Sequence, residues 1–130
     1  MKQIEIREEA DILKIRSEAK EMAQEIGFGL VDQTRIATAV SELARNVFTY
    51  AGEGEVRIES DCRPRKGIKI TFIDRGPGIE DVELALTDGY STTRSMGKGL
   101  PGAKRLMDRM EIHTHSGKGT KVTVEKWLPE

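Results

Sequence analysis

Glu42 and Asn46 stand four residues apart. On a helix that is about one turn, so both side chains project from one face. A carboxylate one turn from an amide suits a metal–phosphate site. The amide oxygen is a hard ligand for Mg2+, which keeps several waters and binds substrate phosphates. The carboxylate can orient or deprotonate an attacking hydroxyl. Taken alone, the same pair is also an ordinary solvated helix face.

Three further groups carry chemistry. Asp74-Arg75-Gly76-Pro77-Gly78-Ile79 follows an apolar run. A carboxylate delivered at the end of a strand can accept a hydrogen bond from an amino group of a base, and the glycines let the backbone turn tightly beside a ligand. Alone it is equally a turn opened by Asp. Gly97-Lys98-Gly99-Leu100-Pro101-Gly102 matches G-x-G-x-x-G and opens a helix, where N–H groups and the helix dipole favour an anion. A glycine-rich helix cap has the same composition. Gly117-Lys118-Gly119-Thr120 leads into a final apolar run. It reads as a hairpin turn, with Thr120 able to place a hydroxyl in a nucleotide pocket.

The common phosphate-binding frameworks are excluded. No strand directly precedes the G-x-G-x-x-G, and no acidic residue follows about 20 positions on at a strand end, as a dinucleotide fold needs. No G-x-x-x-x-G-K-[ST] occurs, and no H-R-D or D-F-G, so P-loop and protein-kinase frameworks are absent.

The elements that must position these residues follow from periodicity. Ile4 and Ile6 alternate as a short strand. Ile12, Ile15, Ala19, Met22, Ala23 and Ile26 recur at helical spacing between Glu8 and Ile26, and Gly27 stops that helix. Asp32 offers the N-cap of a second helix reaching Tyr50, with Ile36, Ala39, Val40, Leu43 and Val47 as its stripe. Strands follow around Val56–Ile58 and Ile68–Ile73, joined by a hairpin over Cys62–Gly67. A short helical patch covers Glu80–Leu86, a longer helix Pro101–Met110, and strands Glu111–Thr114 and Lys121–Trp127 close the chain. Helices and hairpins are grouped in pairs, not strictly alternating. That predicts an α+β two-layer sandwich, a mixed and mostly antiparallel sheet with helices on one face.

Composition narrows the class. With 130 residues, the chain is expected to form one domain spanning 1–130. A net charge of −1 supplies no overall basic field for nucleic acid. Arg63, Arg65 and Lys66 form a local basic cluster that a surface turn explains as well as a ligand does. One cysteine, Cys62, allows no intramolecular disulfide and no cysteine-based zinc site. No apolar run approaches the ~18 residues of a membrane span. A cytoplasmic protein is the expectation. His113 and His115 share a strand face, which fits a two-ligand metal site or a solvated strand. Trp127 and Leu128 fit a core cap or a partner contact.

The four groups occur in the order E-x-x-x-N, D-x-G-x-G, G-x-G-x-x-G, G-x-G-T. In this arrangement the chain resembles, over nearly its whole length, the GHKL superfamily of ATP-binding domains. That superfamily includes histidine-kinase ATPase domains, gyrase-type and Hsp90-type ATPases and anti-sigma-factor serine kinases. Ser41-Glu42-Leu43-Ala44-Arg45-Asn46, Asp88-Gly89-Tyr90-Ser91-Thr92 and the stretch from Gly99 to Asp108 are similar to the RsbT-type serine/threonine kinases, the switch kinases of stressosome partner switching.

The resemblance implies ATP and Mg2+ as cofactors. It makes Glu42 the general base and Asn46 the Mg2+ ligand. It assigns Asp74 to adenine, with Gly76 and Gly78 shaping the pocket. Gly97, Gly99, Leu100 and Gly102 fall to the phosphates, and Thr120 becomes a hydroxyl near the base. The stretch from Asp81 to Met96 corresponds to an ATP lid, and Arg94 and Lys98 are its candidate cations for the γ-phosphate. Implied substrates are Ser or Thr residues of STAS-domain proteins, an antagonist and a scaffold. The implied downstream partner is a PP2C-type phosphatase or another effector. A module that sequesters its partner without transfer, an ATPase driving a conformational change, and an anti-sigma factor are the alternatives.

Overall fold

The computed structural model describes residues 1–76, 96–115 and 119–129. Lys2–Ile6 forms strand β1 and Ala10–Ile26 helix α1. The apolar positions of α1 recur at helical spacing, and Ile12, Ile15, Ala19, Ala23 and Ile26 are the residues it buries. Gly27 ends it at φ 118°, and the N–H groups of Gly27 and Phe28 return to the Ala23 carbonyl.

Helix α2 spans Leu30–Ala51, with Gly29 as its N-cap. Asp32 therefore lies inside the first turn and does not cap the helix. The cause is tertiary. Phe28 is buried, and the Gln33 amide Nε2 donates to the Phe28 carbonyl at 2.9 Å, so the N-cap falls at Gly29, three residues earlier. Asp32 still suits the positive end of the helix dipole and accepts from Arg35 Nη1 at 3.1 Å.

Strands β2 (Gly54–Asp61) and β3 (Gly67–Asp74) form a hairpin. Arg65 Nε donates to the Leu128 carbonyl at 2.9 Å, so part of the basic hairpin loop is tied to the C-terminal segment. Helix α3 runs Met96–Leu106, then β4 covers Arg109–His115 and β5 Gly119–Trp127. The sheet order is β1-β2-β3-β5-β4, and every pairing among the described residues is antiparallel. The patch expected over Glu80–Leu86 lies outside the described residues.

The α3 boundaries correct the sequence expectation of Pro101–Met110. The helix begins upstream of Pro101, which sits inside it. It ends early because the following residues are taken by the sheet. The Asp108 N–H donates to the Glu125 carbonyl at 2.9 Å, and the Trp127 N–H donates to Asp108 Oδ2 at 2.8 Å. Lys126, 8% exposed, donates from Nζ to the Leu106 carbonyl at 3.1 Å. A buried cation on the last turn matches the negative end of the helix.

Alternation along the strands sorts the two faces. Ile68, Ile70, Phe72 and Asp74 point inward with their β5 partners Lys126, Val124, Val122 and Thr120. The helices cover this face: Ile15 of α1, Ile36, Val40 and Leu43 of α2, and Leu100 and Ala103 of α3 join the same buried cluster. The outer face is polar, with the cross-strand row Gln3, Arg57, Thr71, Thr123 and Glu111. Leu128 packs against the core and its N–H donates to the Lys66 carbonyl at 2.9 Å, which favours the core cap for this residue. No described helix is long and apolar enough to cross a membrane.

Candidate nucleotide site

At one end of the inner face a small cavity of about 20 Å3 opens between α2, α3 and strands β3 and β5. That volume admits roughly one water. Leu43, Asn46 and Val47 line it from α2, Phe72 and Asp74 from β3, Leu100 from α3, and Thr120 and Val122 from β5. Its walls are apolar and its polar groups are few, the usual balance of a small-molecule site.

Asp74 and Thr120 are register partners at the ends of their strands. Asp74 is 9% exposed and Thr120 4%. Burial pushes the Asp74 carboxyl above its ordinary 3.8, while N–H groups of Gly76 and Thr120 hydrogen-bond the carboxylate and pull it partly back. The Gly76 N–H lies 2.9 Å from Oδ1. A side chain at position 76 would meet Ala51 Cβ at 2.8 Å, so glycine is what lets this turn close over the end of α2. Gly119, at φ 101°, is tighter still: a Cβ there would lie 2.2 Å from the Asp74 carbonyl oxygen. That close approach sets β5 against the end of β3. The Thr120 hydroxyl lies 3.1 Å from the hydroxyl of Thr114, its β4 register partner.

On α2, Leu43, Asn46 and Val47 fall at i, i+3 and i+4, so one helix stripe faces the cavity. Asn46 is half-buried at its edge. Glu42 is exposed and does not line the cavity, although it lies one turn from Asn46. The expected pair thus divides into an inward amide and an outward carboxylate. No cluster of three or more His, Cys, Asp or Glu able to hold a metal occurs among the described residues. Asn46 is instead the one site oxygen donor on α2 at the cavity edge, which suits Mg2+, an ion commonly bound by few protein ligands together with phosphates and water.

The glycine box opens a helix, as its sequence reading has it, but the helix starts upstream of the expected Pro101. Gly97 and Gly99 lie within the first turns of α3. Gly102 lies further along α3, and nothing stands within 4 Å of where its side chain would be. Leu100 is buried and contributes the α3 wall. Gly78, Arg94, the Lys98 side chain and nearly all of the expected lid over 81–96 lie outside the described residues.

The structure adds Leu43, Val47, Phe72 and Val122 to the site. Each had a legible signal. Phe72 stands two before Asp74 and Val122 two after Thr120, hence on the same strand face. Leu43 and Val47 belong to the apolar stripe of α2.

The chain matches the family model described as "Histidine kinase-like ATPase domain" over residues 7–126. It is 48% identical to the serine/threonine-protein kinase RsbT of Bacillus subtilis, over 96% of this chain and 95% of that protein. It is 33% identical to the anti-sigma F factor of Clostridium beijerinckii, over 70% of this chain and 68% of that protein. Among solved structures, the catalytic domain of the histidine kinase ThkA matches with a TM-score of 0.59 and 18% identity, each chain fully covered. At that identity it supports the fold alone.

Proposed function

The chain belongs to the histidine kinase-like ATPase domain family, and from that premise we propose that it is an ATP-dependent protein serine/threonine kinase acting as one unit over residues 1–130. The observation that carries the reading is the meeting of Asn46, Asp74 and Thr120, from three separate stretches of chain, on one apolar cavity. The near full-length identity to a serine/threonine-protein kinase supports it.

Each residue then has a task. Asp74 accepts from the amino group of adenine, and Thr120 stands beside it. Phe72, Val122 and Leu43 flank the base. The cavity holds about 20 Å3, so base entry requires its walls to part. The phosphates run toward α2 and the glycine box. Asn46 Oδ1 would hold Mg2+ together with phosphate oxygens and water; the ion supplies charge neutralisation on the transferring group. Glu42, exposed at the rim, meets the acceptor hydroxyl. The acceptor oxygen bonds to the γ-phosphorus while the bond to the β–γ bridging oxygen breaks. That oxygen leaves with ADP, and the hydroxyl proton passes to the Glu42 carboxylate. Arg94 and Lys98 offset charge on the γ-phosphate.

An exposed base suits a protein substrate, whose acceptor must be brought in from solvent. We assign as acceptors Ser or Thr of STAS-domain antagonist and scaffold proteins. Their phosphorylation frees the kinase to bind a PP2C-type phosphatase or another effector in a cytoplasmic partner-switching module. A second reading, an anti-sigma factor, is favoured by the 33% identity over 70% of the chain.

The test is transfer from γ-labelled ATP to a purified STAS-domain protein in Mg2+, with EDTA as control. Label on Ser or Thr, lost with EDTA, is the expected result. Nucleotide binding without label on any STAS-domain protein, together with stable capture of a sigma factor, would overturn the kinase reading in favour of the second.

A further inference from the structure

Helix α2 sorts its residues strictly along most of its length. After Val31 its exposed positions are Thr34, Arg35, Thr38, Glu42, Arg45 and Thr49, all polar. Its first two residues break that rule. Leu30 is 70% exposed and Val31 66%, and with Met1 and Leu13 they are the exposed large apolar residues of the described chain. The corner before the helix does not depend on them: it is held by buried Phe28 and by the Gln33 amide on the Phe28 carbonyl. The fold gains nothing from two adjacent aliphatic side chains left in water, and a patch of that kind marks an interaction surface.

This end of α2 meets the basic hairpin loop through the C-terminal segment. A side chain at Gly27, in the turn before α2, would lie 3.9 Å from Leu128 Cδ1. The Leu128 N–H donates to the Lys66 carbonyl, and the Leu128 carbonyl accepts from Arg65 Nε, each at 2.9 Å. The loop over 62–66 is exposed throughout. Arg63 and Lys66 make no ion pair among the described residues. Asp61, which enters the loop, is held on the N–H groups of Cys62 and Arg63. In a chain of net charge −1, an apolar pair beside a basic loop departs locally in both hydropathy and charge. Its complement is an apolar stripe edged with carboxylates, which an acidic amphipathic helix presents.

Position separates this surface from the transfer end. Strands β3 and β5 carry Gly67 and Trp127 at this end, and Asp74 and Thr120 at the other. Glu42 stands more than three turns along α2 from Leu30, about 18 Å. A protein seated here leaves Glu42 open, which fits an effector that is bound and not one that is phosphorylated. We propose that Leu30, Val31, Arg63 and Lys66 form the docking surface for the effector, a protein that meets it with an acidic amphipathic helix, while acceptors use the opposite end. The inference rests on the partner-switching kinase reading.

The experiment uses the full chain and a purified PP2C-type phosphatase as probe. Phosphatase binding is measured beside label transfer from ATP to a STAS-domain protein. One variant carries Leu30→Ser with Val31→Ser, the other Arg63→Glu with Lys66→Glu. All four side chains are exposed, so thermal midpoints should match the parent's. The apolar variant should bind the phosphatase about tenfold more weakly or worse. The charge variant should associate more slowly and lose most of the salt dependence of binding. Neither should change transfer. The charge variant lies outside α2 and keeps the test decisive should the apolar one disturb the helix start. Parental phosphatase binding in both variants overturns the docking surface, as does a parent that transfers label yet does not bind the phosphatase; both results leave the kinase reading standing. Transfer lost together with binding overturns the separation of the two ends. Parental binding to phosphatidylglycerol vesicles, lost in both variants while phosphatase binding persists, gives the surface to a membrane and overturns the proposal. A parent that transfers label to no STAS-domain protein overturns the kinase reading, and this inference with it.

Discussion

The two ends of the proposed site are built differently. At the base end, Asp74 and Thr120 are buried, register-paired on neighbouring strands, and hydrogen-bonded to Gly76 and Thr114. At the transfer end, Glu42 is exposed on α2, and its place relative to Asn46 comes from helix geometry alone. The buried end is held by backbone and cross-strand hydrogen bonds, so changes there should alter affinity and stability together. The transfer end is open to its acceptor, so changes there should alter rate and leave stability alone.

The sharpest test of that contrast is Glu42→Gln. Loss of a general base costs typically 10²- to 10⁴-fold in rate. We expect phosphotransfer to fall by about that factor, with ATP affinity and thermal midpoint nearly unchanged because the side chain is exposed. A lowered midpoint in calorimetry would break the distinction between the two ends.

Gly119→Ala acts in the opposite sense. The methyl group would enter a positive-φ position and meet the Asp74 carbonyl oxygen. Backbone strain and overpacking together cost about 2–5 kcal/mol. Chemical denaturation should show that loss, with weaker nucleotide binding alongside. Parental stability would mean that the β3–β5 junction relaxes freely and is not preorganised.

Asp74→Asn has the smallest expected effect on any one measurement but moves two of them in opposite directions. Exchanging a charged acceptor for a neutral one should weaken ATP binding by about 1.5–3 kcal/mol, on the order of 10- to 100-fold. The nucleotide-free protein should be more stable at neutral pH. A carboxyl whose folded pKa is raised above 3.8 by burial is held ionised at a cost above that folded value. The cost disappears as pH falls through it toward 3.8, so the stability curves of variant and parent should converge on acidification. Melting curves across that range check the sign. A variant less stable than its parent at neutral pH would show that the hydrogen bonds of the carboxylate outweigh its desolvation.

Much of the fold was legible because it is local. The Ile12–Ile26 stripe, the Ile36–Val47 stripe and the alternation of Ile68, Ile70 and Phe72 each have one period, and each became the element expected. The misreadings sit where distant residues compete for the chain. Asp32 is a good cap, but the burial of Phe28 in the core, with the local Gln33 bond to its carbonyl, starts α2 earlier. Met107–Met110 could extend α3, but β5 takes the Asp108 N–H through the Glu125 carbonyl. The glycine box opens a helix as read, but that helix begins at Met96 and not at Pro101.

By itself the sequence determined the types of the groups and their local faces: an amide one turn from a carboxylate, an acid at a strand end, a hydroxyl after a glycine turn. Those follow from helix and strand periods, which need no distant partner. The tertiary structure decided which groups share a cavity. It turned Asn46 toward that cavity and left Glu42 in solvent. It paired Asp74 with Thr120 through the β3–β5 register, and placed Thr114 behind them. Register and burial are properties of the assembled sheet and its helix layer, because a residue's neighbours across strands are fixed only when the whole face packs.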